Sequence, residues 1–245
     1  MANRLEPVLA DLTEVLGIQV CYRDPGVGRF GLENALMPVG NTILEVVAPI
    51  QENTAGGRYL ERRGGDGGYM VITQCDDHAP RKKRVAELGV RVVAASDRDE
   101  YSIMQLHPRD TGGSFFEIDE QRGEHSHDPD GPWEPAGPNW QRARRLDVVT
   151  GVSAVELQCD DPAKVAARWA EIAEIPVTPA PSGPTLVLAN ATLRFVPILD
   201  GRPEGLSAMD ITVANQEHIL EAAKHRGCYR SDSQVSICGM RINLV

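Results

Sequence analysis

An internal repeat constrains the architecture of this chain more than any other feature. Residues 71–77 read VITQCDD, and residues 155–161 read VELQCDD. In each copy a β-rich run leads into two aspartates and then into a segment with helical spacing, at 81–88 and at 162–175. Aspartate is a preferred residue at the start of a helix because its carboxylate accepts the free backbone N–H groups there. Each copy therefore predicts a strand, a cap and a helix.

Further echoes extend the repeat over the whole chain. Residues 41–50 and 191–198 are both β-rich runs that end in proline, and another unit opens at 205–213, continues through a helix at 216–225 and ends at 234–245. We therefore predict βαβββ units at about 1–65, 68–120, 150–203 and 205–245. Strands outnumber helices in this pattern, which favours an α+β fold with cup-shaped mixed sheets over a doubly wound parallel sheet.

The domain organisation follows from the pairing of these units. We predict a first module over 1–121 and a second over 150–245, with a connector rich in Pro, Gly and Trp at 122–149. Each module would contain two units.

The charge balance excludes several classes of partner. Lys and Arg number 25 and Asp and Glu 35, so the net charge at pH 7 is −10. An acidic chain lacks the positive surface that nucleic acids and anionic membranes require, so we expect neither as a partner. The first 12 residues show no secretory signal, and we predict a cytoplasmic location.

Three segments then resemble a known family. Residues 107–117 read HPRDTGGSFFE, which resembles the H-P-x-x-T-G-G-x-x-x-E ending of methylmalonyl-CoA epimerase-like members of the vicinal oxygen chelate superfamily. Residues 36–42 and the strand after them resemble that family's P-L-G-N-T stretch, and the helix at 5–16 that ends in Gly17 resembles its first helix. The match covers 5–120, and the internal repeat carries the second half.

The resemblance implies both a fold and a chemistry. It implies paired βαβββ modules in which two units form a cup around a divalent metal that chelates vicinal oxygens of a substrate. The superfamily includes glyoxalase I, epimerases, extradiol dioxygenases and metal-free binding proteins of the bleomycin-resistance type. The fold alone therefore does not decide the reaction.

The positions that hold the metal in the family are mostly changed in this chain. The first lies on an opening strand for which residues 1–4 leave no room, and the next two correspond to Ala48 and Met70. Only the fourth, Glu117, offers an oxygen. In the second half the same positions read Ala154, Val196, Ala208 and Asn243. We predict no bound metal and no other cofactor, because one carboxylate is too few donors.

Strand alternation predicts which side chains line each cup. For the first cup we expect a substrate pocket with Glu117 as the catalytic residue and these binding residues: Val46, Ala48, Met70, Ile72, Gln74 and Phe115. For the second cup the same rule places four charged residues inside: Glu156, Arg194, Asp210 and Arg241. Buried charges must be paired, so we expect an ion-pair network there. It would serve either as a structural plug or as a site for a carboxylate or phosphate ligand.

Two functional classes remain open. One is a metal-independent isomerase, epimerase or lyase that acts on a small oxo- or carboxylate-bearing metabolite, with Glu117 as the proton-transfer base. The other is a metal-free protein that binds and sequesters a small molecule. The missing first strand leaves a sheet edge unpaired, so either the true start lies upstream or another segment or subunit fills the gap, and we expect a homodimer.

Overall fold

The computed structural model describes all residues of the chain, Met1–Val245. The first repeat unit contains α1 (Leu5–Leu16), β1 (Leu32–Val39), β2 (Thr42–Pro49) and α2 (Ala55–Arg63). The second contains β3 (Met70–Gln74), α3 (His78–Glu87), β4 (Val92–Asp97), β5 (Tyr101–Leu106), the short α4 (Pro108–Thr111) and β6 (Phe115–Gln121). The third contains β7 (Val149–Cys159), α5 (Pro162–Ala173), β8 (Val177–Ala180), β9 (Gly183–Val187) and β10 (Thr192–Pro197). The fourth contains β11 (Gly205–Val213), α6 (Gln216–Arg226), β12 (Tyr229–Ser231), β13 (Gln234–Ile237) and β14 (Met240–Leu244).

The repeated aspartates act as predicted at the starts of two helices. The Asp77 carboxylate accepts the backbone N–H of Ala79 at α3, and the Asp161 carboxylate accepts that of Lys164 at α5. Each carboxylate satisfies a backbone donor that the helix itself leaves unpaired. The prediction of strand, cap and helix is therefore confirmed in both copies.

The strands form three sheets. One has eight strands in the order β12-β13-β14-β11-β7-β10-β9-β8, and apart from Val149 it consists of the stretch predicted as the second module. The strands of the predicted first module form a four-stranded sheet, β3-β6-β5-β4, and a two-stranded sheet, β1-β2. No strand precedes α1, and the backbone N–H of Ala2 donates to the carbonyl of Val47 in β2 at 2.8 Å. The predicted α+β class with mixed sheets is confirmed.

One edge of the four-stranded sheet is irregular. β4 pairs only with β5, and its register shifts between Val92 and Ala94, as in a β-bulge. Val92 and Val93 are 44% and 45% exposed at this edge.

The chain forms two compact units, and each contains segments of both predicted modules. One unit comprises Met1–Gly68, Pro135–Ala154 and Ser207–Val245, and the other comprises Tyr69–Glu134 and Val155–Leu206. β7 contributes to both. The compact units therefore do not coincide with the predicted division at 1–121, 122–149 and 150–245, which stays a prediction.

The core of the second unit is built around one indole ring. Trp169 of α5 is fully buried and stacks on Phe116 of β6 with ring centroids 4.2 Å apart and planes 8° apart. Phe195 of β10 meets the same indole edge-on at 5.7 Å. The indole Nε1–H donates to the carbonyl of Gly112 at 3.1 Å. In this way one side chain joins strands of two sheets and the turn after α4.

In the first unit, α1 packs against α6. The buried side chains of α1 include Val8 and Leu12, and α6 buries Ile219. Arg226 of α6 forms an ion pair with Asp11 at 2.6 Å. The apolar faces of both helices are buried, and the ion pair adds a contact between the helices at the surface. None of the helices in the chain combines the length and hydrophobicity needed to cross a bilayer.

Candidate functional site

Two acidic side chains lie buried on the same face of β6. Glu117 is 8% exposed and Asp119 is fully buried. Residues two apart on a strand point to the same side, so both carboxyl groups occupy one face of the four-stranded sheet. β6 lies between β3 and β5, which shields it on both edges. We call this side of the sheet the acid face, and it is the side predicted to bind substrate.

The strand register decides what surrounds Glu117. Glu117 lies opposite Ile72 of β3 and opposite Gln105 of β5. The Gln105 Nε2 donates to Oε2 of Glu117 at 3.0 Å and lies 3.4 Å from the sulfur of Met70. The Gln105 amide therefore holds one oxygen of the Glu117 carboxyl group, and the apolar side chain of Ile72 lies opposite on β3.

Asp119 lies deeper, next to Tyr101 of β5. The Tyr101 hydroxyl donates to Oδ2 of Asp119, while Oδ1 is buried without a hydrogen-bond donor. Burial raises the pKa of Asp119 to about 6, although the hydrogen bond from Tyr101 acts in the opposite direction. Burial and the neighbouring Asp119 charge also raise the pKa of Tyr101, so its hydroxyl remains a donor. The desolvation of a carboxylate is the dominant effect here.

The connector contacts one end of the acid face. Trp133 packs edge-on against the Tyr101 ring at 5.3 Å, and the Gln121 side chain accepts the backbone N–H of Glu134 at 2.8 Å. Gln74 of β3 donates to the carbonyl of Ser126 at 2.8 Å. These contacts shield the Asp119 end of the face from water.

The structure brings part of the predicted first pocket together. Met70 and Phe115 are half-buried on the acid face beside Glu117, whereas Ile72 is 42% exposed and Gln74 is exposed. The remaining two predicted residues, Val46 and Ala48, are buried on β2 in the other compact unit. The assignment of these residues to substrate binding stays a prediction.

The four charged residues of the predicted second pocket have the following partners. Glu156 and Arg194 form an ion pair at 3.5 Å, with side chains 12% and 18% exposed. In the other compact unit, the Asp210 carboxylate accepts the amide of Asn243 at 2.7 Å, and Arg241 donates to the Ser207 hydroxyl at 3.1 Å. A single network of all four stays a prediction.

The donor set does not fit the divalent metal that the family resemblance implies. The corresponding positions are the methyl of Ala48, the thioether of Met70 and one carboxyl, Glu117. Nowhere in the chain do three or more His, Cys, Asp or Glu side chains gather so that they could hold a metal ion. Catalytic zinc sites hold the ion with three protein ligands of nitrogen, oxygen or thiolate type. These residues therefore do not form the metal site of the family.

Two open grooves lie elsewhere on the chain. One runs along α3 and β4 and includes Val85 and Val90, and the other lies beside α1 and α6 and includes His218 and His225. Neither is lined by a predicted site residue. The chemistry of the acid face, rather than the size of a groove, makes it the candidate site.

Sequence reasoning missed three residues of the acid face: Asp119, Gln105 and Tyr101. Asp119 was within reach, because the alternation rule that places Glu117 on this face places Asp119 there too. Gln105 and Tyr101 depend on the register between β5 and β6, which α4 and its flanking turns set. No sequence pattern specifies that register.

No protein-family model matches the chain, and no curated protein matches it. Among solved structures, a triple mutant of 4-hydroxymandelate synthase from Streptomyces coelicolor is 14% identical, with a TM-score of 0.67 over 93% of this chain and 73% of that one. A hypothetical protein from Staphylococcus aureus is 12% identical, with a TM-score of 0.62 over 94% of this chain and 90% of that one. Methylmalonyl-CoA epimerase from Mycobacterium tuberculosis is 23% identical, with a TM-score of 0.44 over 50% of this chain and 83% of that one.

The likeness to the first two structures extends over nearly the whole chain at very low sequence identity. Such a likeness shows the fold and leaves the activity open. With the βαβββ order of the second, third and fourth units described above, it confirms the resemblance found in the sequence at the level of fold: this chain has the fold of the vicinal oxygen chelate superfamily.

Proposed function

We propose that the chain is a metal-independent isomerase, epimerase or lyase that acts on a small oxo- or carboxylate-bearing metabolite. The observation that carries the proposal is the carboxyl group of Glu117, which is 8% exposed, beside the apolar side chains of Met70 and Phe115. An apolar surrounding makes a carboxylate a stronger base than it is in water. Glu117 is the proposed proton-transfer base.

The chemistry begins with a base beside a carbonyl-bearing substrate. Glu117 accepts a proton from the carbon next to the carbonyl, and the electrons of that C–H bond move towards the carbonyl oxygen. Protonation of the same carbon from its opposite side, by an acid other than Glu117 such as a water molecule, gives the epimer, and return of the proton from Glu117 to a neighbouring atom gives an isomer. In a lyase the same electrons expel a leaving group. Gln105 orients the carboxyl group for this transfer through its 3.0 Å hydrogen bond.

The test is the substitution Glu117→Gln, which keeps the size of the side chain and removes the base. Metabolite pools are first screened for compounds that raise the melting temperature of the protein, since a ligand that binds the native state stabilises it. Exchange of the substrate C–H for deuterium in D₂O is then followed by NMR. We expect exchange with the wild type, and binding without exchange with Glu117→Gln.

The matched control is Glu120→Gln, an acid of the same strand on the opposite face, paired with Arg122. It should bind and exchange as the wild type does. Unchanged exchange in Glu117→Gln would contradict the role of this residue.

A second candidate function is the sequestration of an apolar small molecule. Ile72 favours it, because this side chain is 42% exposed directly opposite Glu117 and offers an apolar contact surface. A binding protein would retain its ligand in both variants, and neither the wild type nor the variants would exchange the substrate proton.

Two further expectations also remain proposals. We propose that the protein is a homodimer, which light scattering of the purified chain would test by its molar mass. We also propose a cytoplasmic location, which fractionation of the source cells would test.

A further inference from the structure

One edge of the four-stranded sheet is regular. β3 forms this edge, since it pairs only with β6, and their register runs without a shift along Met70–Gln74. The opposite edge strand, β4, carries the bulge. Sheet edges in proteins are commonly blocked by a charged side chain, a proline or a bulge. The sequence of β3 reads MVITQ, so none of these devices blocks its edge.

The register shows which backbone groups lie along this edge. The backbone N–H of Cys75 donates to the carbonyl of Asp119 at 2.8 Å, in line with the parallel ladder. Successive residues of a strand direct their N–H and C=O groups to alternate sides, so the odd-numbered residues of β3 bond to β6. The even-numbered residues direct these groups to the other side, and they are Met70, Ile72 and Gln74. None of the backbone bonds outside the ladders involves them.

The acid face determines which charge a ligand at this edge can carry. By register it is lined by the even-numbered residues of β3, those of β4 beyond the bulge, and the odd-numbered residues of β5 and β6. Glu117 and Asp119 are the acids among them, and none is Lys, Arg or His. Arg98 approaches the ring of Tyr101, but it forms an ion pair with Glu134 at 2.6 Å. An anionic ligand would meet acids without a cation, so the face favours an uncharged one.

Two side chains of the face indicate the polarity of the ligand. The amide nitrogen of Gln105 donates to Oε2 of Glu117 at 3.0 Å and to the Met70 sulfur at 3.4 Å, so both of its N–H groups are engaged. Gln105 therefore offers a ligand its carbonyl oxygen, which accepts an N–H. Ile72, 42% exposed opposite Glu117, offers an apolar contact. N–H donors, carbonyl acceptors and apolar groups without charge are the composition of an extended amide chain.

We propose that the edge of β3 binds an uncharged, extended amide chain by strand addition, with the N–H and C=O groups of the chain paired to Ile72 and Gln74. The substrate of the proposed enzyme is then an oxo-bearing metabolite with a peptide-like backbone. Neighbouring strands lie about 4.8 Å apart, which places this backbone about 10 Å from β6. The oxo group is therefore carried on a side branch that passes over Ile72 to Glu117. The substrate role rests on the proposed function, whereas the pairing with β3 does not.

Hydrogen exchange of the full chain tests the pairing without turnover. The probe is a tetrapeptide of valine and threonine that is acetylated at one end and amidated at the other, and NMR follows the backbone N–H groups of β3. We expect a saturating amount of the peptide to slow exchange at Ile72 and Gln74 by about tenfold or more. Exchange at Val71 and Thr73, which bond to β6, should not change. The same peptide methylated at every amide nitrogen cannot pair as a strand and should have no effect.

Ile72→Pro is the decisive variant. The N–H of Ile72 faces away from β6, and proline is tolerated at such positions of an edge strand, so the ladder with β6 should persist. Ile72→Ala is the matched control, because it also shortens the side chain but keeps the N–H. We expect the proline variant to bind the peptide about tenfold more weakly than the alanine variant, since it lacks one backbone donor. Equal affinities of the two variants would overturn the proposal.

The wild type alone also tests the proposal, should Ile72→Pro not fold. Unchanged exchange at Ile72 and Gln74 with the peptide, or equal protection by the methylated peptide, would overturn it. Slow exchange at both positions in the free protein would overturn it as well, because the edge would already be covered. Protection that rises with protein concentration would assign that cover to a second copy of the chain. Because no readout involves turnover, a failure of the proposed enzyme activity leaves all of them intact.

Discussion

Replacement of Trp169 by alanine should destabilise the protein more than any other single truncation of an aromatic side chain in the second unit. The indole is fully buried and contacts two aromatic rings, Phe116 at 4.2 Å and Phe195 at 5.7 Å. It also donates a hydrogen bond to the carbonyl of Gly112 at 3.1 Å. Strands of two sheets would lose their common contact.

The magnitude follows from these contacts. Truncation of a buried Trp or Phe to Ala costs about 3 to 5 kcal/mol, because apolar contact is lost and a cavity remains. Each aromatic pair adds about 0.5 to 1.5 kcal/mol beyond area burial, and the lost hydrogen bond about 1 kcal/mol. We therefore expect a loss of about 5 kcal/mol in the free energy of unfolding, at the upper end of the range.

Urea unfolding followed by circular dichroism measures this loss. The control is Trp133→Ala, because Trp133 is only half-buried and packs against a single ring, Tyr101, at 5.3 Å. It should lose about 1 to 2 kcal/mol. A loss below about 2 kcal/mol for Trp169→Ala, at an unchanged dependence on urea, would refute the reasoning that this indole unites the core of the unit.

Three other predictions concern pH, the backbone and metal content. The pKa of Asp119 is about 6 in the folded chain against 3.8 for an ordinary aspartate, so the folded state binds this proton more tightly. The stabilisation from this proton is complete below about pH 4, and ~3 kcal/mol of it is lost as the pH rises to about 6. Urea unfolding across that range should show a shallower fall for Asp119→Asn, and parallel curves would contradict the prediction. Gly40→Ala should cost about 2 kcal/mol or more, because φ is +61° and a Cβ would lie 2.2 Å from the carbonyl oxygen of Thr150. Gly64→Ala, at φ +77° with nothing within 4 Å, should cost about 1 kcal/mol, so equal melting temperatures of the two variants would argue against the clash. Elemental analysis after dialysis should find no stoichiometric divalent ion, and one tightly held Zn, Fe, Mn or Ni per chain would overturn the assignment of a metal-independent site.

The parts of the fold that could be predicted from sequence are those encoded locally. Strand, cap and helix could be recognised at Asp77 and Asp161 because capping depends on neighbours within three residues. α1 could be placed at Leu5–Leu16 because its apolar residues recur at helical spacing and Gly17, at φ +69°, ends it. Both signals depend on residues within one or two helical turns, so they can be recognised without knowledge of the tertiary structure.

The contacts of the candidate site could not be predicted in the same way. The alternation rule placed Glu117 on the face that also carries Met70, but the bond from Gln105 depends on how β5 and β6 align after α4. The rule also treated all inward positions as equally enclosed. Ile72 is 42% exposed on the same face as the buried Glu117, because β3 is an edge strand and β6 is central. Burial thus depends on strand order, which is a long-range property.

The bulge in β4 has a consequence for solubility. Val92 and Val93 would make this edge a template for uncontrolled association, since an open strand edge with apolar side chains readily pairs with another chain. The shift in register interrupts the row of backbone donors and acceptors between Val92 and Ala94. The ion pairs Arg91–Asp110 and Arg98–Glu134 place charges at both ends of the strand. The irregularity therefore makes this edge a poor template for strand addition, and a homodimer formed by strand addition would use another edge.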